Sequence, residues 1–458
     1  MGIVMVYKRI NSVLYLTPKL MYIVVNLEYF LFYSFRHLFL ESRKIGSTMI
    51  TFTFMAMQFV TFFSNMGVAY FADSIQKPKL VLIGCLLLSA LTFQLLFLPL
   101  SNLFCCFFFI LYSTFILCTV PLLDRIVLEY LQKVMNAPSS IYGRQRVFGT
   151  FTYLITNYIT EMLVFEGNEK RFNRLQIPYL LYAALAAGTV FVLAPRDRVV
   201  SRESQRRDRP QLSKVLKNKA YLFFLLIILM NGITRGVLTV YLSSYYKTIL
   251  NFNELTPPKS VPGPLRWIAQ TLVYKNPVST CNTFGVILEI GIFFASKTLL
   301  QWFGLYWAFL ISQVAQGLRF FCYTKIAPTD PYRFEKACAI EMLKGVNFGL
   351  THLSGVQLAV LLVPSNLKST SQMIYAGTFV CFGGMLGAFL GFFYKIESID
   401  GAVSMFWAGT VLSMLAVALI IIKYGCIDKK LWGSAAREIP EQMPSSEPSR
   451  ATLQSEVK

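Results

Sequence analysis

Arg196 to Lys219 reads RDRVVSRESQRRDRPQLSKVLKNK. The stretch is basic and polar and contains a proline, so none of it suits a bilayer. The chain on either side is apolar over long distances. A helix that crosses a membrane needs about 20 mostly apolar residues. Runs of that kind fall near 18–40, 47–72, 79–99, 101–123, 146–164, 177–195, 219–243, 283–300, 302–324, 335–361, 371–395 and 402–423. Several of them abut, and a count of eleven also fits. Taken as about twelve, they are divided six and six by the basic stretch. The sequence therefore predicts an all-α membrane protein of two six-helix bundles. These are 1–195 and 219–425, joined by a linker at 196–218 and followed by a tail at 426–458.

Composition agrees with lipid as the main solvent. Hydrophobic residues make up 55% of the 458 and charged residues only 14%, and the mean hydropathy is +0.54. A soluble protein carries about 25% charged residues. The formal net charge of +20 would suggest nucleic acid in a soluble chain. Here basic residues in short cytoplasmic loops account for it, because they orient spans. No basic stripe is interleaved with exposed aromatics, so no nucleic-acid partner is expected. The Lys and Arg bias comes mostly from the linker and the tail, and it places both termini in the cytosol. The first apolar run is long enough to stay in the bilayer, unlike a cleaved signal. Neither span length nor any targeting signal separates the plasma membrane from an organelle.

Outside the spans, the sequence offers one long insertion. The loop at 246–282, expected on the non-cytoplasmic side, holds Pro257, Pro258, Pro262, Gly263 and Pro264. Residues 264–274 could lie flat at the interface with Trp267 as an anchor. The tail is rich in Ser, Pro and Glu and reads as disordered. Of nine cysteines, seven sit in apolar runs, where they act as small apolar residues. Cys281 is assigned to a loop and Cys426 to the tail. Their spacing suggests neither zinc nor a disulfide framework. With only two histidines, no metal site and no cofactor are expected.

Several short motifs point to a family. Ala69-Tyr-Phe-Ala-Asp73-Ser-Ile-Gln-Lys77-Pro-Lys79 resembles the major facilitator superfamily loop motif G-x-x-x-D-R-x-G-R-R, with Ala69, Ser74 and Gln76 as departures. Tyr142-Gly-Arg144-Gln-Arg146-Val-Phe-Gly149-Thr150 resembles the YGRxRxxG(S/T) segment of the lactose-permease and nucleoside-symporter-like branch, the "major facilitator 1-like" group. Glu289 to Gly304 resembles that branch's helix-eight pattern, with Gly291 in place of proline. Glu341-Met-Leu-Lys344-Gly345-Val-Asn347-Phe-Gly349-Leu resembles its helix-ten pattern, and Pro364 to Gly391 its helix-eleven stretch. The resemblance runs from about 60 to 395 and implies the major facilitator fold. It also implies that the loop with Asp73, Lys77 and Lys79 controls the conformational change. Gly383, Gly387 and Gly391 lie four apart on one helix face, where small residues let two helices approach closely in lipid. Either static packing or a sliding contact would use them.

Charges within the spans mark candidate sites, since each costs about 2.5–3.5 kcal/mol near the bilayer centre on insertion scales. They are Glu28, Arg235, Glu289, Arg319, Glu341, Lys344 and His352, with Asp124, Arg125 and Glu129 nearer the cytosolic end of span four. Arg125 with Glu129, and Glu341 with Lys344, could simply pair along one helix face. Glu28 and Glu289 have no partner within a turn of their own helices and are expected to face a cavity. His352 reads first as a hydrogen-bonded helix residue. By the resemblance, Arg146 matches the arginine that binds substrate with a helix-four carboxylate. Glu129 is its first counterpart and Asp124 the second. Substrate binding is thus assigned to Arg146, Glu129, Asp124, Glu28 and Arg235. The permease's helix-ten histidine and carboxylate fall on Lys344 and Asn347, which puts its proton relay in doubt. Glu341 near Arg319, or Glu289, could replace it, with Lys344 and His352 beside them.

The leading expectation is therefore a monomeric secondary transporter of a small polar solute such as a sugar or nucleoside, coupled to protons. A non-transporting receptor or scaffold on the same fold is the alternative, supported by the departures in the loop motif and on span ten. An enzyme is not expected: there is no Walker loop, nucleophile elbow, metal cluster or HExxH.

Overall fold

The computed structural model describes residues 11, 14–99, 101–135, 142–166, 169–194, 217–252, 255, 257, 262–363, 368–394 and 398–428. Most of the linker and of the tail lies outside these residues.

Among the described residues, twelve helical spans form two groups of six. Span one is Leu16–Leu31, continued after a short turn as Arg36–Ser42. Spans two to six are Ser47–Ile75, Pro78–Leu95, Asn102–Lys133, Tyr142–Val164 and Gln176–Leu193. Spans seven to ten are Lys219–Ser244, Pro277–Phe294, Ser296–Tyr323 and Arg333–Leu361. Span eleven runs Lys368–Gly377 and Gly383–Phe393 around one wider turn, and span twelve is Ile399–Ile420. Eight of the helices are long and apolar enough to cross a membrane by composition alone. The others, spans one, five, nine and ten, carry charges or a break. Span nine breaks at Gly304, whose φ of 65° is open to glycine and strained for other residues.

Helix ends depart from the sequence expectation where local polarity misled it. Span eight starts at Pro277, not near 283. Its first turn is polar (Ser279, Thr280, Asn282), yet it is buried and Pro277 suits the first helical position. Cys281 therefore sits inside a span, with its Sγ 3.5 Å from that of Cys338. Span four continues past 123 to Lys133, carrying Asp124, Arg125 and Glu129 on helix. Part of the 246–282 loop is helical, at Gly263–Ile268 and on to Tyr274, and Trp267 there is exposed.

Each half has its own core at the end where the linker attaches. One cluster joins Tyr22, Leu82, Leu122 and Val127. The other joins Phe224, Tyr306, Phe309 and Tyr424. At the opposite end a single cluster takes residues from both halves: Phe32, Phe39 and Phe165 with Tyr241, Tyr245 and Phe406. That end also carries a small antiparallel hairpin, Phe165–Glu166 with Glu169–Lys170, and is called the hairpin end below. On the hairpin surface Arg174 and Arg171 hold the Glu166 carboxyl below its ordinary range.

The glycine stripe of span eleven packs inside its own half. A Cβ at Gly383 would collide with Gly232 Cα, and one at Gly387 would lie 2.5 Å from the Ile233 carbonyl oxygen. These contacts hold spans seven and eleven backbone to backbone. The neighbouring glycines face the other half: Gly384 meets Gln58 and Gly377 meets Phe62, both on span two.

Candidate functional site

Three kinds of charged group emerge from the helices. The first is sealed within one half. Glu28 is fully buried and accepts a hydrogen bond of 2.5 Å from Ser89 on span three, beside Tyr179 on span six. It sits among spans one, three and six and does not face the space between the halves. The sequence expectation for Glu28 is a carboxyl facing a cavity; among the described residues one of its carboxyl oxygens is held by Ser89 and the other is buried without a hydrogen-bond partner. Glu341 is fully buried too. It takes two bonds from Arg319, at 3.1 and 2.6 Å, and one of 2.6 Å from the Tyr323 hydroxyl. Its ion-pair partner is thus Arg319 on span nine rather than Lys344 on its own helix.

The second group lies at the linker end. Arg146 Nη2 is 3.7 Å from Asp124 Oδ2, and the Tyr22 hydroxyl donates to Asp124 at 2.6 Å. Glu129 is 3.2 Å from Arg125, the pair that the i, i+4 spacing suggested. Asp124, the second choice from sequence, is the carboxylate this geometry sets beside Arg146. Lys79 donates to the Ala194 carbonyl oxygen at 3.2 Å and covers the end of span six. Lys77 is exposed, and the Asp73 side chain lies outside the described side chains.

The third group brings residues of both halves together. Arg235 on span seven lies over the Phe348 ring at 5.7 Å and the Phe379 ring at 5.2 Å. Arg36 lies over the Tyr33 ring at 4.3 Å and donates to the Tyr33 carbonyl oxygen at 3.1 Å. Lys344 stands 5.6 Å from the Tyr153 ring of the other half. Tyr33 is in electrostatic reach of all three cations. Glu289 is buried and in reach of Lys344, Arg235 and Arg146. His352 Nδ1 is 3.1 Å from the Tyr375 hydroxyl and its ring 4.6 Å from that of Phe348. A separate groove of about 350 Å³ between spans seven and eleven is lined by Leu222, Leu225, Leu229 and Phe382 and holds no charge.

Three charged residues that the sequence reading passed over prove central. Arg36 is one. The others form a junction at the hairpin end. Lys247 Nζ is 3.1 Å from Glu161 Oε1, with the two side chains 3% and 0% exposed. Glu161 also accepts from the Val278 and Ser279 amides, at 3.3 and 2.7 Å. A carboxylate from the first half thus caps the first turn of span eight in the second, where free amides and the helix dipole favour it. Ser243 donates to the Ser34 carbonyl oxygen at 2.8 Å, Ser244 bonds Glu41, and Tyr158 and Thr280 lie 3.0 Å apart. The signal for all three was a charge inside an apolar run. Their places near span ends disguised them as boundary residues.

Between residues 22 and 407 the chain matches the model of the MFS_1-like family, and it belongs to that family. Similar solved structures include two described as the nucleoside transporter NupG. One is 14% identical with a TM-score of 0.71, covering 89% of this chain and 97% of that one. The other, a point mutant of that transporter, is 16% identical with a TM-score of 0.73, covering 89% and 99%. A bacterial homologue of the human lysosomal transporter Spinster, described as inward-facing and unoccupied, is 11% identical with a TM-score of 0.58, covering 89% and 95%. No curated protein matches the sequence. At these identities the structures establish the fold, the two six-helix bundles of a major facilitator protein. The chain is an integral, multi-pass membrane protein of this class.

Proposed function

We propose that this protein is a secondary active transporter that moves a small polar solute by alternating access. The observation that carries the reading is the shared core at the hairpin end beside two separate cores at the linker end. Halves that pack together at one end and apart at the other present a midplane site to one side only. Rocking them would present it to the other side. On the proposal that the termini lie in the cytosol, this arrangement is read as the inward-facing state. Glu161, Lys247 and the start of span eight form the closed outer gate.

Arg146 with Asp124, and Arg235, are the leading substrate contacts in this reading. Glu289 is the proposed coupling group. It is a buried carboxylate in electrostatic reach of Lys344, Arg235 and Arg146, so its protonation would change the charge that the solute meets. Glu341 is held by Arg319 and Tyr323, which suits a structural role. A scaffold that retained the fold would not need charges desolvated between its halves, so the buried charges favour transport.

Uptake into proteoliposomes of purified protein tests this. A panel of labelled solutes with and without an inward proton gradient should show accumulation for at least one solute, collapsing with a protonophore. Absence of flux from folded protein for every solute would turn the assignment to a receptor or scaffold.

A further inference from the structure

The cluster shared by the two halves is unbalanced in charge, and its cations are not paired. Among the described residues Arg36, Arg235 and Lys344 have no acid in ion-pair contact, while Arg146 has Asp124 and Arg319 has Glu341. Arg36 is only 5% exposed. Its guanidinium donates to the Tyr33 carbonyl oxygen and to the Met57 sulfur. Glu289 is a carboxylate in reach of both Lys344 and Arg235, while Glu341, close to Lys344, is already taken by Arg319. Three unpaired cations against one carboxylate leave an excess of two positive charges, even with Glu289 ionised.

Arg235 and Lys344 are half-buried, and like charges held largely out of water destabilise a fold unless something compensates them. In membrane proteins such groups mark solute paths. The surroundings are specific as well. Arg235 is flanked by Phe348 and Phe379, and the Tyr375 ring stacks on Phe379 at 3° between planes. Stacking uses the flat face of a guanidinium and leaves its N–H edge to grip a carboxylate or phosphate with two bonds. The rings offer a wall for a planar group.

We propose that the space between the halves is a binding site for a small organic anion, a carboxylate or phosphate ester that carries a planar unsaturated group. Arg235 and Lys344 hold the anionic end from the second half, and Arg36 draws it from the first. The bound anion supplies the charge that the protein leaves out. That the anion is cargo rests on the transport reading; that it binds does not.

The test uses the full chain in lipid nanodiscs and matched ligand pairs: adenosine with its 5′-monophosphate, uridine with its 5′-monophosphate, and 4-hydroxybenzamide with 4-hydroxybenzoate. In at least one pair the anion should bind tenfold or more tighter than its neutral partner, raise the melting temperature, and weaken with added salt. Arg235→Gln and Lys344→Gln should each weaken that anion at least tenfold. Without ligand both variants should melt at the same or a higher temperature, because a repelling charge is gone; a cation with a structural role would lower it. Equal binding within every pair, no binding by any anion, or destabilised variants would overturn the proposal. Anion binding without flux of that anion supports the site while counting against transport. Flux of a neutral member with no preference for anions supports transport and overturns the site.

Discussion

At the scale of single residues, the carboxylates separate by what surrounds them. Glu341 neutralises Arg319 in a dry place, so Glu341→Gln leaves a buried guanidinium unpaired. Breaking such a pair costs about 3–5 kcal/mol, and the variant should melt well below the parent protein. Glu289 has no such obligation. Glu289→Gln removes the carboxylate that offsets part of the neighbouring positive charge, so it should melt somewhat below the parent protein yet still exchange solute, and should lose accumulation driven by a pH gradient. Accumulation that survives in Glu289→Gln would end its role in coupling. Outside the spans, Lys336 and the Tyr332 amide hold the Asp330 carboxyl below its ordinary range. A carboxyl depressed in the folded state adds stability above its unfolded value, and that stability fades as pH falls through the folded value. Asp330→Asn should therefore flatten the acid limb of the melting profile, by little, because the group sits outside the spans where solvent screens the exposed Lys336 beside it.

At the scale of elements, spans seven and eleven show how glycine sets a distance. With a Cβ at Gly383 running into Gly232 Cα, the helices have no room for a side chain. Gly383→Ala should cost about 1–3 kcal/mol by overpacking, read as a drop in melting temperature. Gly46, with nothing within 4 Å of its added Cβ, should accept alanine without such a cost. The stripe was legible in the sequence as a face four residues apart. Its partner was not, because a repeat on one helix says nothing of which neighbour it meets. Span eight shows the opposite failure. Its first turn reads as loop because Ser279, Thr280 and Asn282 are polar, and only Glu161 from another span explains why they are buried.

At the scale of the molecule, the junction of Glu161 with Lys247 and the span-eight amides ties the halves at the hairpin end. Glu161→Gln removes the ion pair and weakens the cap. The equilibrium should move toward the state open at that end. A cysteine placed by Ser34→Cys should then react faster with a membrane-impermeant thiol reagent from the hairpin side. Unchanged reactivity would show that packing alone holds the gate.

The sequence by itself determined the membrane class, the six-and-six division and the family, because these rest on apolar run lengths and short motifs that are local properties of a chain. It also marked most of the charged residues that matter, since a charge in an apolar run is visible without a fold. Only the tertiary structure decided where each charge points. Glu28 turned into its own bundle, Asp124 took its place beside Arg146, and Arg36, Arg235 and Lys344 came together without an acid to match them. Those outcomes depend on pairings between different helices, from tens to hundreds of residues apart in the chain, and lipid as solvent makes each pairing consequential by removing the water that would otherwise answer for a lone charge.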